Sequence, residues 1–139
     1  MNSKIQGTIG ELKAQYDFMR AGFDVSVPLG DYNAYDFIAI KNEKIHKIQV
    51  KTCEKVIEGR MKFDLTSRNY YSDKIYTQND CEYFYLYCLE NEQSFLYQIK
   101  DSSNTYALWL RTEPTKSGQV KGVNFASDFE FNKVIKELY

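Results

Sequence analysis

The sequence YDFIAIKNEKIHKIQVK, at residues 35–51, combines two strand-forming runs with the turn that joins them. Its first part, from Tyr35 to Ile40, is rich in aromatic and β-branched residues and predicts a strand. Asn42 and Glu43 predict a tight turn, and the residues after them predict a further strand that runs to about Cys53. The turn would make the two strands antiparallel neighbours.

Three polar side chains of this hairpin are expected to meet. Successive side chains of a strand alternate faces, so Gln49 and Lys51 share one face while Val50 points into the opposite layer. Asp36 on the preceding strand can approach them if the two strands splay or bend there. A carboxylate among apolar strand residues is costly unless it is paired, hydrogen-bonded or metal-bound. The hairpin therefore predicts metal-binding oxygen beside an ammonium group.

An amphipathic helix is predicted upstream of the hairpin. Apolar residues recur there at spacings of four and three, and a stripe of this kind normally faces a core. The stripe consists of Ile5, Ile9, Leu12, Tyr16 and Met19. The helix should end near Gly22, and Glu11 should project from the side of the stripe. Gly7 and Gly10 would allow a close approach of the backbone.

The remaining sequence predicts further strands and a closing helix. Strands are expected at residues 23–28, 60–65, 83–89 and 95–99. The first two would form a β-meander with the hairpin, and the last two could extend the same sheet. A closing helix is predicted by the helical spacing of Phe131, Val134, Ile135 and Leu138. Ser127 or Asp128 would cap its start.

Length and composition bound the class of protein. With 139 residues and 43% hydrophobic side chains, the chain is expected to form a single globular domain over residues 1–139. It contains neither an apolar run near the ~20 residues that cross a bilayer nor a signal-peptide core, so a soluble cytoplasmic protein is expected. Three cysteines without a CxxC pair, together with one histidine, favour reduced thiols over a zinc or disulfide site.

The net charge of −1 lacks the basic signature of many nucleic-acid-binding proteins, although a local basic face can still supply phosphate contacts. Basic and aromatic residues that could contact phosphates follow the hairpin, and basic residues also lie in the polar segment 111–122. For that segment a solvated loop is the alternative interpretation. The tyrosines among them could instead be packing residues. DNA contacts are expected from Arg60, Lys62, Arg68, Tyr70, Tyr71, Lys74, Arg111, Lys116 and Lys121.

The predicted cluster contains the groups that phosphodiester hydrolysis requires. The reaction needs neutralised charge at the phosphate, a deprotonated water and a stabilised leaving oxyanion. Carboxylates that hold Mg²⁺ supply the first, because Mg²⁺ prefers oxygen ligands and keeps several waters. Its protein ligands would be Glu11, Asp36, the amide oxygen of Gln49 and the backbone carbonyl of Val50. Lys51 would orient or activate the attacking water.

The chain resembles the PD-(D/E)XK nuclease superfamily in its motif. That motif consists here of Asp36, a spacer of twelve residues and Gln49-Val50-Lys51, and a helix with Glu11 precedes it. Further blocks along nearly the whole chain resemble a small bacterial and phage group that includes intron-encoded PD-(D/E)XK homing endonucleases. These blocks are residues 7–11, 21–25, 35–38, 48–52, 80–84 and 110–126.

The resemblance implies a fold and a set of roles. The fold would be an α/β core with a mixed β-sheet flanked by helices, and Mg²⁺, or Mn²⁺ in its place, would bind at the edge of the sheet. Glu11, Asp36, Gln49 and Lys51 would form the catalytic cluster. Tyr35 replaces the proline that names the motif, but proline contributes no ligand. Gln49 replaces the usual second acid, which weakens metal binding in principle, although the homing-endonuclease group is similar in using glutamine there.

The first hypothesis is a site-specific homing endonuclease that cuts double-stranded DNA. One site per chain would require a homodimer or homotetramer to cut both strands, and symmetry would make the target approximately palindromic. A Holliday-junction-resolving or restriction-type nuclease would use the same chemistry. A non-catalytic DNA-binding module with the same fold is the alternative from another class, and Gln49 favours it. His46 lies at odd spacing from Gln49, so we interpret it as structural or surface rather than a general base.

Overall fold

The computed structural model describes residues 1–68, 73–99 and 106–139, with the side chains of residues 67, 68, 73 and 74 left aside. Its helices are α1 (Ser3–Arg20) and α2 (Phe131–Val134), with 3₁₀ turns at Ala126–Asp128 and Ile135–Leu138. Its strands are β1 (Asp24–Ser26), β2 (Phe37–Lys41), β3 (Lys44–Cys53), β4 (Arg60–Asp64), β5 (Thr66–Arg68), β6 (Asp73–Ile75), β7 (Tyr83–Cys88), β8 (Gln93–Gln98) and β9 (Ala107–Arg111).

The predicted hairpin lies at the centre of a five-stranded sheet with the order β1-β2-β3-β7-β8. Asn42 and Glu43 have φ values of 52° and 66°, and two positive φ angles are what a type I′ hairpin turn requires. The pairing of β3 with β7 is parallel, and the other pairings in this sheet are antiparallel. The predicted addition of β7 and β8 to the sheet is confirmed, and so is the mixed α/β class. Among the described residues, no helix is long and apolar enough to cross a bilayer.

The predicted meander is wrong at its last strand. β4 pairs with β9 in a separate two-stranded sheet, while β7 occupies the place beside β3. The reason is that Phe84 and Leu86 of β7 face away from the helices and need a second layer to cover them. Met61 and Phe63 of β4 provide that layer and are completely buried. The central sheet is thus enclosed between helices and a smaller sheet.

Helix α1 forms where it was predicted, but the predicted packing face is wrong. The buried residues of the helix are Gly10, Ala14 and Phe18, on the side opposite to the apolar stripe. Phe18 contacts the rings of Phe23, Phe37 and Phe131 edge-on, each at a centroid distance of 5.3 Å. The small residues Gly10 and Ala14 let the helix lie close to the sheet, and Phe18 on the same side inserts between these rings. The exposed large residues of the stripe are Ile5, Leu12, Tyr16 and Met19.

A polar network fixes α1 to the central sheet. The Asp17 carboxylate accepts the hydroxyl of Tyr85 at 2.5 Å and that of Ser94 at 3.2 Å, and it pairs with Lys13 at 2.7 Å. Burial, followed by this hydrogen bond to Asp17, raises the pKa of Tyr85 above its usual range. The network therefore holds α1 at a fixed position over β7 and β8.

The C-terminal segment is helical but discontinuous. Two residues predicted as caps, Ser127 and Asp128, lie in the preceding 3₁₀ turn, and that prediction is wrong. Amides of residues 128 and 129 bond back to residues 125 and 126 and close this turn before α2 begins. Glu130 occupies the N-cap position of α2 without a side-chain capping bond. Packing holds the helix instead, because Phe131 contacts Tyr85 edge-on at 5.8 Å.

The contact between Gly10 and β3 generates a stability prediction. A Cβ at Gly10 would lie 2.3 Å from the methyl of Thr52 and 3.3 Å from a methyl of Val50, whereas one at Gly7 would meet nothing within 4 Å. Gly10→Ala should lower the free energy of unfolding by about 1–3 kcal/mol, as overpacking does. Gly7→Ala should raise it by roughly 0.5–1 kcal/mol through helix propensity. Urea unfolding measures both, and equal effects of the two substitutions would contradict this packing.

Candidate active site

The candidate site lies where β2 ends and β3 continues. The last ladder pair of these strands joins Phe37 to Ile48, whereas β3 stays paired with β7 as far as Cys53. The Cys53 carbonyl accepts the N–H of Leu89 and so points toward β7. The N–H and carbonyl groups of successive residues point to opposite edges of a strand, and Val50 is three residues before Cys53. The N–H and carbonyl of Val50 therefore point toward the edge that β2 has left.

Asp36 occupies this edge. Its carboxylate Oδ2 accepts the Val50 N–H at 2.7 Å, and its own N–H donates to the Ile48 carbonyl at 2.8 Å. Ile48 is already the ladder partner of Phe37, so the chain leaves regular pairing at Asp36, as the approach of these side chains requires. Burial raises the pKa of Asp36, and the Val50 hydrogen bond and the Lys51 ammonium oppose that shift. Asp36 is thus held against the strand that carries Gln49 and Lys51.

Lys51 contacts the first residue of β5. Its ammonium Nζ donates to the Thr66 carbonyl at 2.7 Å and lies 5.1 Å from the centroid of the Tyr76 ring. Burial lowers the pKa of Lys51, and the carboxylates of Asp64 and Asp36 oppose that shift. An ammonium has three N–H donors. One bond to Thr66 fixes the position of Nζ and leaves donors for a ligand.

Gln49 supplies a buried acceptor without a partner. Of the buried side-chain nitrogen and oxygen atoms in the described residues, Gln49 Oε1 is the one that has no hydrogen bond within the protein. An unsatisfied buried acceptor costs roughly 1–3 kcal/mol. This oxygen is on the same face of β3 as Lys51. Its environment therefore suits a donor or a cation that comes from outside the chain.

Glu11 reaches the same region from α1. Gly10 lets the helix pack directly on Val50 and Thr52, which brings the following residue to the open edge of β3. Desolvation raises the pKa of Glu11, and the charge of Asp36 raises it further. The negative charge of Asp36 therefore disfavours the ionised form of Glu11, which shows that the two carboxylates are close enough to interact.

The donor set fits a hard divalent metal. Glu11 and Asp36 offer carboxylates, Gln49 offers its unpartnered amide oxygen, and the Val50 carbonyl points to the same edge. In the described parts of the chain, no group of three or more His, Cys, Asp or Glu side chains surrounds one point. A metal at this edge would depend on two carboxylates and on neutral oxygens, which Mg²⁺ accepts together with waters.

The predicted DNA contacts divide into three groups. Arg60, Lys62 and Arg111 lie on the second sheet, and Lys116 and Lys121 are exposed in the segment after β9. The residues or side chains that fall outside the described part of the chain are Arg68, Tyr70, Tyr71 and Lys74. The structure therefore describes five of the nine expected contacts, and all five lie on elements other than β2 and β3.

His46 lies outside the cluster. Its Nδ1 is 2.7 Å from a carboxylate oxygen of Glu82, and its Nε2 is 3.1 Å from the Leu138 carbonyl. These contacts join β3 to the C-terminal segment on the helix side of the sheet. The interpretation of His46 as a structural residue agrees with this position.

The sequence is similar to that of a known protein family over most of its length. Residues 1–132 match the model of a protein family described as PD-(D/E)XK endonuclease. The chain belongs to the PD-(D/E)XK endonuclease family. Its members are nucleases that act on DNA and generally use divalent metal ions. The residues in which the sequence resembles the family motif, Asp36, Gln49 and Lys51, lie at or beside the open edge of β3.

A solved structure has the same fold over almost the full length of both chains. The structure of the bacterial homing endonuclease I-Ssp6803I aligns with a TM-score of 0.77 and 21% sequence identity, over 99% of this chain and 95% of that one. At this identity the match establishes the fold. No curated protein matches the sequence.

The raised pKa of Asp36 predicts a pH-dependent gain in stability when its charge is removed. Asp36→Asn keeps an oxygen that can accept the Val50 N–H, so at pH 7 in EDTA the free energy of unfolding should rise by about 0.5–2 kcal/mol. The folded wild type binds this proton more tightly than the unfolded chain does. The gain should therefore shrink as the pH falls toward the ordinary Asp value of 3.8.

The matched control is Asp31→Asn, which makes the same chemical change at an exposed position. Asp31→Asn should leave the free energy of unfolding unchanged within error, both at pH 7 and at a pH near 3.8. If Asp36→Asn destabilised the protein at pH 7, the carboxylate would be a stabilising structural group, and the conclusion that its charge destabilises the fold would be wrong.

Proposed function

We propose that this protein is a magnesium-dependent endonuclease that hydrolyses phosphodiester bonds in double-stranded DNA as a site-specific homing endonuclease. The observation that carries the proposal is the buried, unpartnered oxygen of Gln49 on the face of β3 that also presents Lys51, beside the carboxylate of Asp36. We also propose that residues 1–139 form one nuclease domain, which acts on DNA in the cytoplasm.

Each residue of the cluster has a distinct role in this proposal. Glu11, Asp36, Gln49 and the Val50 carbonyl would hold the metal at the open edge of β3. When bound, Mg²⁺ neutralises charge on the phosphate and favours deprotonation of water. Lys51, which Thr66 fixes in position, would donate a hydrogen bond to the attacking water and orient it. The lowered pKa of Lys51 makes its proton easier to release than that of an exposed lysine.

Homing is the specific form of this activity that the comparisons favour. I-Ssp6803I is a bacterial homing endonuclease, and its structure aligns with 99% of this chain. Junction-resolving and restriction-type nucleases would use the same chemistry on other DNA. The choice between them therefore depends on the substrate.

The nuclease proposal predicts cleavage that requires both Mg²⁺ and Lys51. Supercoiled and branched DNA should be cut in Mg²⁺ and left intact in EDTA, and Lys51→Ala should lower the rate by at least about 100-fold, the lower range for a lost acid–base group. Lys47→Ala is the matched control, because Lys47 is on the same strand and face and donates to the Asn79 carbonyl instead. It should retain cleavage. Equal activity of wild type and Lys51→Ala would contradict the assigned role.

A non-catalytic DNA-binding module is the second candidate. The neutral side chain of Gln49 favours it, because one negative charge fewer weakens metal binding. Such a module would bind the same DNA in Mg²⁺ and in EDTA with equal affinity and would cut none of it. Gel-shift and cleavage assays on the same samples separate the two candidates.

We further propose that the active form contains at least two copies of the chain, since one copy carries one cluster. Helix α1 offers the surface for this contact. The sector around its exposed stripe, completed by Thr8, Ile9 and Gln15, contains no charged residue, which is unusual for a solvent-facing helix. An uncharged apolar face suits a self-complementary contact with a second copy.

The oligomer proposal predicts the effect of a charge on this face. Leu12, with 62% of its surface exposed, can be changed to Glu without disturbing the core. Leu12→Glu should convert the wild-type oligomer to a monomer in analytical ultracentrifugation. Ser3→Glu adds the same charge to an exposed position of α1 away from the stripe and should leave the mass unchanged. A monomeric wild type at micromolar concentration would contradict the proposal.

A further inference from the structure

The second sheet has one apolar and one basic face. Its inward residues are Met61, Phe63, Leu108 and Leu110, all buried. Because paired residues of an antiparallel ladder share a face, the outward face is given by the pairs Arg60 with Arg111, Lys62 with Trp109 and Asp64 with Ala107. Three cations, one carboxylate and a tryptophan therefore project from one side of a two-stranded ribbon, which leaves this face with a net positive charge.

Trp109 organises these cations. Its ring centroid is 4.4 Å from the guanidinium carbon of Arg60 and 5.2 Å from Nζ of Lys62. Contacts of this kind stabilise a cation over an aromatic face. The indole nevertheless remains 41% exposed. A large aromatic side chain that positions two cations and keeps an open surface is suited to a further contact.

The ribbon cations carry uncompensated charge. Arg60 and Arg111 are directly opposite one another, an arrangement of like charges that destabilises a β-ladder. Arg111 bonds to two backbone carbonyls, those of Glu113 at 3.0 Å and Pro114 at 3.3 Å. In the described ranges, no ion pair joins Arg60, Lys62 or Arg111 to a carboxylate. The face thus favours a polyanion.

A groove connects this face to the strand of the candidate site. Its volume is about 430 Å³, and its lining includes residues 52–55, which follow Lys51 along the chain and carry one acidic and one basic side chain, Glu54 and Lys55. The ribbon residues Arg60, Lys62 and Trp109 also line it. A ligand that fills the groove would contact both the ribbon and the end of β3, the strand that carries Gln49 and Lys51.

We propose that the outward face of β4 and β9 is a recognition ribbon that enters the DNA major groove beside the cleaved phosphate. This rests on the proposed nuclease function. The major groove, roughly 12 Å wide, admits a two-stranded β-ribbon. Trp109 packs against base edges, and Arg60 and Lys62, extended along its ring, contact phosphates or base acceptors. Trp109 was not among the contacts expected from the sequence.

The single tryptophan of the chain provides the readout for this proposal. A fluorescein-labelled duplex is titrated with protein in EDTA, which blocks cleavage, and binding is followed by anisotropy at low salt. The emission of Trp109 should shift or be quenched with the same midpoint, and its accessibility to acrylamide should fall. Binding by anisotropy with unchanged tryptophan emission and accessibility would overturn the ribbon while leaving the nuclease proposal intact. Absence of binding together with absence of cleavage would overturn both.

Two variants extend the test. Trp109→Ala should weaken duplex binding by roughly 5- to 100-fold, the range for a good base contact. Lys62→Ala should lower the slope of log affinity against log salt by about 1, as loss of one phosphate contact does. Lys136→Ala removes an exposed lysine on the helix side of the sheet and should change neither quantity. A salt slope that is the same for Lys62→Ala and Lys136→Ala would contradict the proposed contact.

Discussion

The hydrogen bond from the Val50 amide to the Asp36 carboxylate is the contact on which the site depends. It forms because β2 leaves regular pairing one residue before Phe37, while β3 continues beside β7. A continuous ladder would have placed a backbone carbonyl at this position. The departure of one strand instead opens an edge where side-chain and backbone oxygens converge. Gly10 then allows α1 to approach so closely that Glu11 reaches the same edge.

The electrostatics of this edge support the proposed binding of a cation there. Burial raises the pKa values of Glu11 and Asp36 and lowers that of Lys51, so each of the three groups is ionised at a cost. Gln49 leaves an acceptor unsatisfied. A folded protein normally avoids such costs, and they concentrate where function requires them. In the proposed metal site, glutamine instead of an acid at position 49 would reduce the repulsion among the ligands and would also reduce the attraction for the metal.

Much of this could be predicted from the sequence, and the failures share a physical cause. Alternation in residues 35–51 and the Asn42-Glu43 turn predict the hairpin and the common face of Gln49 and Lys51, because these are local properties of a strand. The buried face of α1 could not be read from hydrophobicity, because close packing selects Gly10 and Ala14 over Leu12. The position of β4 depends on Phe84 and Leu86, which are distant in sequence.

The proposed DNA-binding face of β4 and β9 was predicted only in part, for the same reason. Arg60 and Lys62 were expected as DNA contacts from their charge, but Trp109 was not, because its pairing with Lys62 is a long-range contact between β4 and β9. The alternation of Ala107–Arg111 was the local signal for that strand. The burial of Gln49 Oε1 without a hydrogen-bond partner in the described residues likewise depends on the packing of the whole site. The residue types indicated the chemistry of the site, and the tertiary structure determined which residues lie together in it.

The central claim, that the open edge of β3 is a divalent-metal site, is tested most directly by anomalous diffraction from crystals soaked in Mn²⁺. We expect an anomalous peak within bonding distance of the Asp36 carboxylate and the Gln49 amide oxygen, and no such peak in crystals of Asp36→Asn. Crystals of the wild type that bind Mn²⁺ only at other positions, with Gln49 Oε1 satisfied by a protein donor, would contradict the account.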